Sequence, residues 1–234
     1  DYFKVNTELT KYIFDTFLES DCEKFIYLSS VKAVADEVQG VLTEKTIPNP
    51  ISPYGKSKLL AEKYILSKKI PKNKRVYILR QCMIHGPGNK GNLNLLYKFV
   101  SNGLPWPLGS FDNKRSFCSI ENVLFVILEL IENNNILSGV YNLADDKPLS
   151  TNEVIGLISK SKNRNPIIWS LNKNFIQLIA KIGDKINLPL NPERLKKLTE
   201  SYIVSNKKII QKMGKPLPVG SENGMLNTMN SFNK

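Results

Sequence analysis

One histidine and three cysteines are all the imidazole and thiol that this 234-residue chain carries. His85 has no His or Cys neighbour at ligand spacing, which argues against a structural zinc site. Cys22, Cys82 and Cys118 are odd in number and far apart. That pattern speaks against a disulfide framework and for reduced thiols in the cytoplasm. Long apolar runs are missing as well. The longest, Val123 to Leu128, stops at Glu129, well short of the ~18 residues of a membrane span. No signal-peptide pattern stands at the start, and Asp1-Tyr2-Phe3-Lys4 reads like the middle of a protein. A phosphate-cradling glycine turn is also absent. Gly86, Gly88 and Gly91 lie in an extended loop after a strand, with no helix to pack them as such a turn requires.

Acidic residues are outnumbered, and the net charge is +12. A basic balance suits nucleic acid, an acidic surface or a phosphorylated small substrate. The lysines are scattered, as in Lys68-Lys69, Lys196-Lys197 and Lys207-Lys208, and no Arg-rich arm or base-stacking motif occurs. Neither nucleic acid nor a membrane is therefore expected as a partner, and the charge reads as a solvated basic surface.

The length and a hydrophobic content of 41% fit one large domain or two small ones. Val5, Leu9, Tyr12, Ile13 and Phe17 recur at helical spacing and predict a helix over 4–18. Phe25 to Leu28 and Val76 to Leu79 are continuous apolar runs, as in buried parallel strands. A helix from Pro53 to about Ser67 lies between them, which makes a right-handed crossover unit. Residues 31–49 read as a loop. Further on, 121–132 is apolar nearly all round and is expected to be buried. Ser150-Thr151-Asn152-Glu153 is a capping box. Phe175, Ile179, Ile182 and Ile186 form a helical stripe, read as core rather than as a membrane face.

The chemistry concentrates in Ser52-Pro53-Tyr54-Gly55-Lys56-Ser57-Lys58. If Ser52-Pro53 opens a helix, Tyr54 and Lys58 stand one turn apart on one face. An ammonium beside a phenol favours the phenolate, so Tyr54 could act as a base. Tyr64 and Lys68 repeat the spacing and read as a solvated helix end. Ser29 and Ser30 end the first strand, and ligands of parallel sheets bind at the carboxyl ends of strands, so Ser30 and Tyr54 should meet at one cleft.

The Ser-Ser strand end and Pro53-Tyr54-Gly55-Lys56-Ser57-Lys58 resemble the extended short-chain dehydrogenase/reductase family, and within it the nucleotide-sugar epimerases. Arg80-Gln81-Cys82-Met83-Ile84-His85-Gly86-Pro87-Gly88 resembles the family segment that passes the nicotinamide, with Gln81 in place of Pro and His85 in place of Tyr. The resemblance covers nearly the whole chain but only the later part of a family member, beginning at its fourth helix. It implies an α/β fold. Residues 1–85 would be the C-terminal part of a Rossmann-type, doubly wound parallel sheet. Residues 86–234 would be a smaller mixed α/β substrate region, with 117–145 packing back on the sheet. Asn6 would be a buried polar group joining helix to strand. Without the pyrophosphate turn, this stretch alone should be a poor enzyme.

The resemblance also implies roles. Tyr54 would be the general base, Lys58 would lower its pKa and hold the nicotinamide ribose, and Ser30 would orient the sugar oxygen. The cofactor would be NAD, met by Ser29, Tyr54, Lys58, Gln81 and Met83. A nucleotide sugar, with UDP expected, would be held by Ser30, Asn92, Leu93, Arg115 and, more weakly aligned, Arg194. His85 is given a structural role. The dehydratases of the family follow their Ser/Thr with an Asp-Glu pair, whereas Val31-Lys32 stands here, which disfavours dehydration. A UDP-hexose 4-epimerase serving surface polysaccharide synthesis is the leading expectation. A 4-keto-sugar nucleotide reductase using NAD(P)H shares the same Ser, Tyr and Lys, and a non-catalytic nucleotide-sugar binding module is the alternative of a different class. Helices 4–18 and 53–67 would pair two copies into a homodimer.

Overall fold

The computed structural model describes residues 1–185 and 191–233. A three-stranded parallel sheet stands at its centre, in the order β1 (Lys24–Leu28), β3 (Arg75–Gln81), β6 (Gly139–Leu143). Apolar residues occupy both faces of β3. Val76 and Ile78 join Phe14, Phe17, Ala61 and Ile65 in one core layer, from helices α1 (Leu9–Glu19) and α2 (Pro53–Ser67). Tyr77 and Leu79 point the other way, into a layer with Val123, Val126 and Leu130 of α4 (Ile120–Glu132). Alternating side chains of a strand covered on both faces require this continuous apolar pattern. The fold is thus α/β with helices on both sides of a parallel sheet.

Two short parallel pairs extend the structure: β2 (Val41–Leu42) with β7 (Ile203–Val204), and β4 (Met83–His85) with β5 (Phe117–Ser119). A second body of helices packs beyond them. It comprises α3 (Asn92–Ser101), α5 (Thr151–Ser161), α6 (Lys173–Lys185), α7 (Pro192–Thr199) and α9 (Ser221–Ser231), with α8 (Lys207–Met213) lying against β6. Leu93, Tyr97, Val154, Ile158, Met225 and Met229 form one of its cores. The capping box is present in full: Ser150 Oγ accepts from Glu153 N at 3.0 Å and Ser150 N donates to Glu153 Oε2 at 2.6 Å.

Five expectations change. The first helix opens with a π-helical turn over Phe3–Glu8 before α1 begins. The wider turn faces Asn6 and Thr7 together toward α2, where Asn6 Nδ2 donates to Ser57 Oγ at 3.1 Å and Thr7 Oγ1 to Ser57 O at 2.8 Å. The Asn6 side chain therefore joins helix to helix rather than helix to strand. The 31–49 stretch holds a 3₁₀ turn, Val31–Ala33, and strand β2. Helix α4 buries only one side; Leu124, Leu128 and Ile131 are about half exposed on the other. In α6 the core face is Ile176 and Ala180, while Phe175 and Ile182 of the expected stripe face outward and Ile186 falls outside the described residues.

A buried ion pair fastens α2 to the sheet. Glu62 and Arg80 are bound through Arg80 Nε at 3.0 and 3.1 Å and Nη2 at 2.5 Å, with both side chains nearly inaccessible. Removing one partner strands a charge in the core. Glu62→Met or Arg80→Met should each cost about 3–5 kcal/mol in urea denaturation, and the two together much less than their sum. Additive losses would mean that the two side chains act independently.

Candidate active site

The carboxyl end of β1 carries the chemistry. Ser29 N continues the ladder to Leu79 O at 2.8 Å, and its hydroxyl donates to Glu62 Oε1 at 2.5 Å. Ser29 thus faces the helix–sheet seam. Ser30 takes the opposite side, with extended backbone, and its Oγ accepts from Lys32 N at 3.2 Å, capping the 3₁₀ turn.

Helix α2 is started by three devices, two local and one from the preceding loop. Ser52 Oγ accepts from Gly55 N at 3.2 Å, and Pro53 fills the first helical turn. The Asp36 carboxylate accepts from Ile51 N at 2.6 Å and Ser52 N at 2.9 Å. Burial pushes the Asp36 pKa up, but these hydrogen bonds outweigh it and hold the carboxyl below its ordinary range. Gly55 then lets the first turn of α2 lie directly on the Val31–Ala33 turn. A Cβ on Gly55 would sit 2.3 Å from Lys32 O and 2.8 Å from Pro50 Cβ.

That approach brings Lys58 to the strand end, where Nζ donates to Leu28 O at 2.9 Å and lies 4.9 Å from the Tyr27 ring centre. Partial burial lowers the Lys58 pKa, with Glu62 opposing. Tyr54, half-buried one turn earlier, meets the ring of Tyr2 edge-on at 5.6 Å. The second Tyr/Lys pair is occupied elsewhere: Tyr64 Oη and Lys68 Nζ both bind Asp15, at 2.5 and 2.9 Å, tying α2 to α1.

From Ser30 a cleft leads away from the sheet. Its inner part, about 160 Å³, is lined by Ser30, Lys32, Cys82, Met83 and Arg115 among others. Its outer part, about 280 Å³, shares Lys32, Met83, Arg115 and Phe117 and adds Asn92, Leu93 and Lys197. Arg115 is fixed on the rim by Nη1 to Lys197 O at 2.9 Å and Nη2 to Glu200 Oε1 at 3.1 Å. Lys32 Nζ donates to Asp36 O at 2.6 Å and lies 4.4 Å from the Tyr202 ring centre. Burial lowers its pKa, opposed first by Asp36.

The structure therefore gathers Ser30, Met83, Asn92, Leu93 and Arg115 on one continuous cleft. Tyr54 and Lys58 do not line its two described parts; they adjoin it through the Gly55 contact. Arg194 does not line it either. Asn191 caps its backbone N at 2.9 Å, and Lys197, one turn further along α7, takes the place beside Arg115. Gln81 ends β3 with its Oε1 buried and without a hydrogen-bond partner among the described residues. His85 is fully buried between Thr228 Oγ1 at 2.9 Å and Asp145 Oδ2 at 3.3 Å, a structural position. Sequence reasoning passed over Lys32 and Lys197, because one cation in a basic chain carries no local signal.

Residues 1–144 match the NAD dependent epimerase/dehydratase family. The chain belongs to that family. Among its curated relatives, the UDP-glucose 4-epimerase of Vibrio cholerae is 33% identical over 157 residues, 66% of this chain and 48% of that protein. The N-acetyl-alpha-D-glucosaminyl-diphospho-ditrans,octacis-undecaprenol 4-epimerase of Escherichia coli O157:H7 is 27% identical over 165 residues, 70% of this chain and 50% of that protein. The chain spans about half the length of these relatives. In fold it resembles the UDP-glucuronic acid 4-epimerase of Bacillus cereus, solved with NAD, with a TM-score of 0.71 at 19% identity over 97% of this chain and 67% of that one.

Gly55→Ala tests the close approach on which the site depends. A methyl group there must push α2 from the 31–33 turn. The substitution should cost about 1–3 kcal/mol in denaturation and lower turnover of the full-length protein. An unchanged midpoint with unchanged turnover would remove the constraint.

Proposed function

We propose that this chain provides the proton-transfer and substrate-binding part of an NAD-dependent epimerase of nucleotide sugars, acting on a UDP-hexose at C4 through a 4-keto intermediate. The observation that carries this reading is the cleft running from Ser30 to Arg115, where Lys32, Arg115 and Lys197 stand against one lining acid, Glu200, beside the Tyr54/Lys58 turn.

NAD fits the residues present at its nicotinamide end. Lys58 offers a half-buried ammonium at the strand end, Gln81 an unpartnered buried acceptor, and Met83 an apolar surface on the cleft. Ser29 contributes backbone there, since its hydroxyl is given to Glu62. When bound, the cofactor supplies hydride acceptance and return at the sugar carbon. The pyrophosphate turn is not among these 234 residues, so this stretch by itself should turn over poorly.

Tyr54 removes the C4 hydroxyl proton as the sugar is oxidised and returns it when the keto group is reduced from the other face. Lys58, one helical turn beyond Tyr54, holds its ammonium at the end of β1. Ser30 donates to the same oxygen and orients it. Arg115, with Lys32, Lys197 and Asn92 near it, holds the diphosphate; a guanidinium matches its oxygens in pairs. Val31 is buried and cannot move a proton, so elimination has no acid here.

The same Ser, Tyr and Lys suit a 4-keto-sugar nucleotide reductase. Cofactor that stays with the purified full-length protein supports the epimerase, whereas a requirement for added NAD(P)H supports the reductase. Binding of UDP-sugar without turnover in that protein would leave a non-catalytic module. We place the activity in the cytoplasm and in surface polysaccharide precursor synthesis, with two copies paired through the outward faces of α1 and α2, where Leu9, Tyr12, Ile13 and Leu60 are exposed.

In the full-length protein, Tyr54→Phe should lower kcat about 100- to 10,000-fold while UDP-sugar affinity stays within twofold or so. Arg115→Ala should do the reverse and weaken UDP binding about tenfold or more. Isothermal titration beside a coupled turnover assay separates the two, and full activity in Tyr54→Phe would overturn the mechanism.

A further inference from the structure

The outward face of α6 is apolar although its inward face already supplies the core. Ile176 and Ala180 pack with Trp106, Leu108, Ile155 and Leu195. Phe175, Leu178 and Ile182, spaced three and four apart, form a second stripe on the other side, each about half exposed. The segment leading into α6 adds to it. Trp106 N donates to Ile167 O and Trp169 N to Trp106 O, both at 2.8 Å, so 167–169 runs extended over the Trp106 strand. Ile167 and Trp169, two apart, project to the same outer side, and both are about half exposed.

Charge over this region is mostly positive. Between Glu153 and Asp184 there is no acidic residue, but there are five cations: Lys160, Lys162, Arg164, Lys173 and Lys181. Lys160, Arg164, Lys173 and Lys181 are exposed. Asp184 is the one acid of α6, so the region is net positive, and a net positive face disfavours a second copy of itself. The exposed face of α1 is different, since there Lys11 pairs with Glu8 and Lys68 with Asp15 across the surface. An aromatic and aliphatic stripe bordered by lysines instead complements the boundary of an anionic lipid layer. There apolar side chains enter the headgroup region, an indole favours the interface and ammonium groups meet lipid phosphates.

We propose that α6 and the 167–169 segment form a peripheral docking face for an anionic phospholipid membrane. The contact lies in the interface plane. No helix among the described residues is long and apolar enough to cross a membrane. It also lies close to the cleft. Leu195 of α7 packs in the same core as Ile176 and Ala180, and Lys197 and Leu198 of that helix line the outer cleft. Docking would therefore bring the diphosphate end of the cleft one helix away from the lipid surface.

The test is flotation of the full-length protein with vesicles of phosphatidylcholine, with and without phosphatidylglycerol. Partition is expected only with the anionic lipid, with release by salt and a blue shift of tryptophan emission that Trp169→Phe removes. The triple variant Phe175→Gln/Leu178→Gln/Ile182→Gln and the pair Lys173→Glu/Lys181→Glu should each weaken partition at least about tenfold, with circular dichroism and oligomer size unchanged. Three results would overturn the proposal. One is no partition, as expected if an acidic protein were the partner. Another is equal partition by the variants. The third is shielding of Trp169 from iodide in the free protein, or loss of oligomerisation in the triple variant, either of which means that protein covers the face.

Discussion

The Glu62–Arg80 pair is the contact from which the arrangement of the site follows. Glu62 lies two turns beyond Tyr54 on α2, and Arg80 lies near the carboxyl end of β3. Ser29, at the end of β1, gives its hydroxyl to the same carboxylate. One buried acid thus joins a helix and two adjacent strands at the edge where the reactive side chains emerge. A buried ion pair contributes little net stability, because desolvation offsets most of the attraction. What it supplies is position: α2 cannot slide or rotate without separating charges in a dry interior. With α2 fixed there, Gly55 seats on the 31–33 turn and Lys58 reaches Leu28 O.

Signals that are local in the chain are legible in the sequence itself. Ser52-Pro53 begins a helix by cap geometry, Ser150 to Glu153 builds its box within four residues, and apolar runs without alternation give strands covered on both faces. The sheet, the crossover helix and the family resemblance rest on such signals. What failed depends on distant partners. The apolar pattern of α4 and α6 says that both helices are hydrophobic, but it does not say which side finds a neighbour. Within the π turn at Phe3–Glu8, Asn6 and Thr7 reach Ser57, some fifty positions later.

The cleft follows the same logic. Arg115 enters it because its backbone pairs with Leu149 and bridges to Tyr202, while its guanidinium is held by Lys197 O and Glu200. Three stretches must fold before that arginine has a fixed place. Arg194 and Lys197 share a short helix, and sequence spacing does not decide which of them turns inward. Lys32 stands beside Ser30 in the chain, but its presence on the cleft depends on the ring of Tyr202 and the carbonyl of Asp36.

His85 links parts of the chain that are remote in sequence: Thr228 is 143 residues away and Asp145 is 60. Asp145 also accepts from Ser119 N and Asn122 Nδ2, so the cluster closes around one carboxylate. A change at any member leaves buried polar atoms without partners unless another changes with it. These positions are therefore free to drift only together. The imidazole that ends β4 and the hydroxyl on the last helix are thus one constraint on the sequence rather than two.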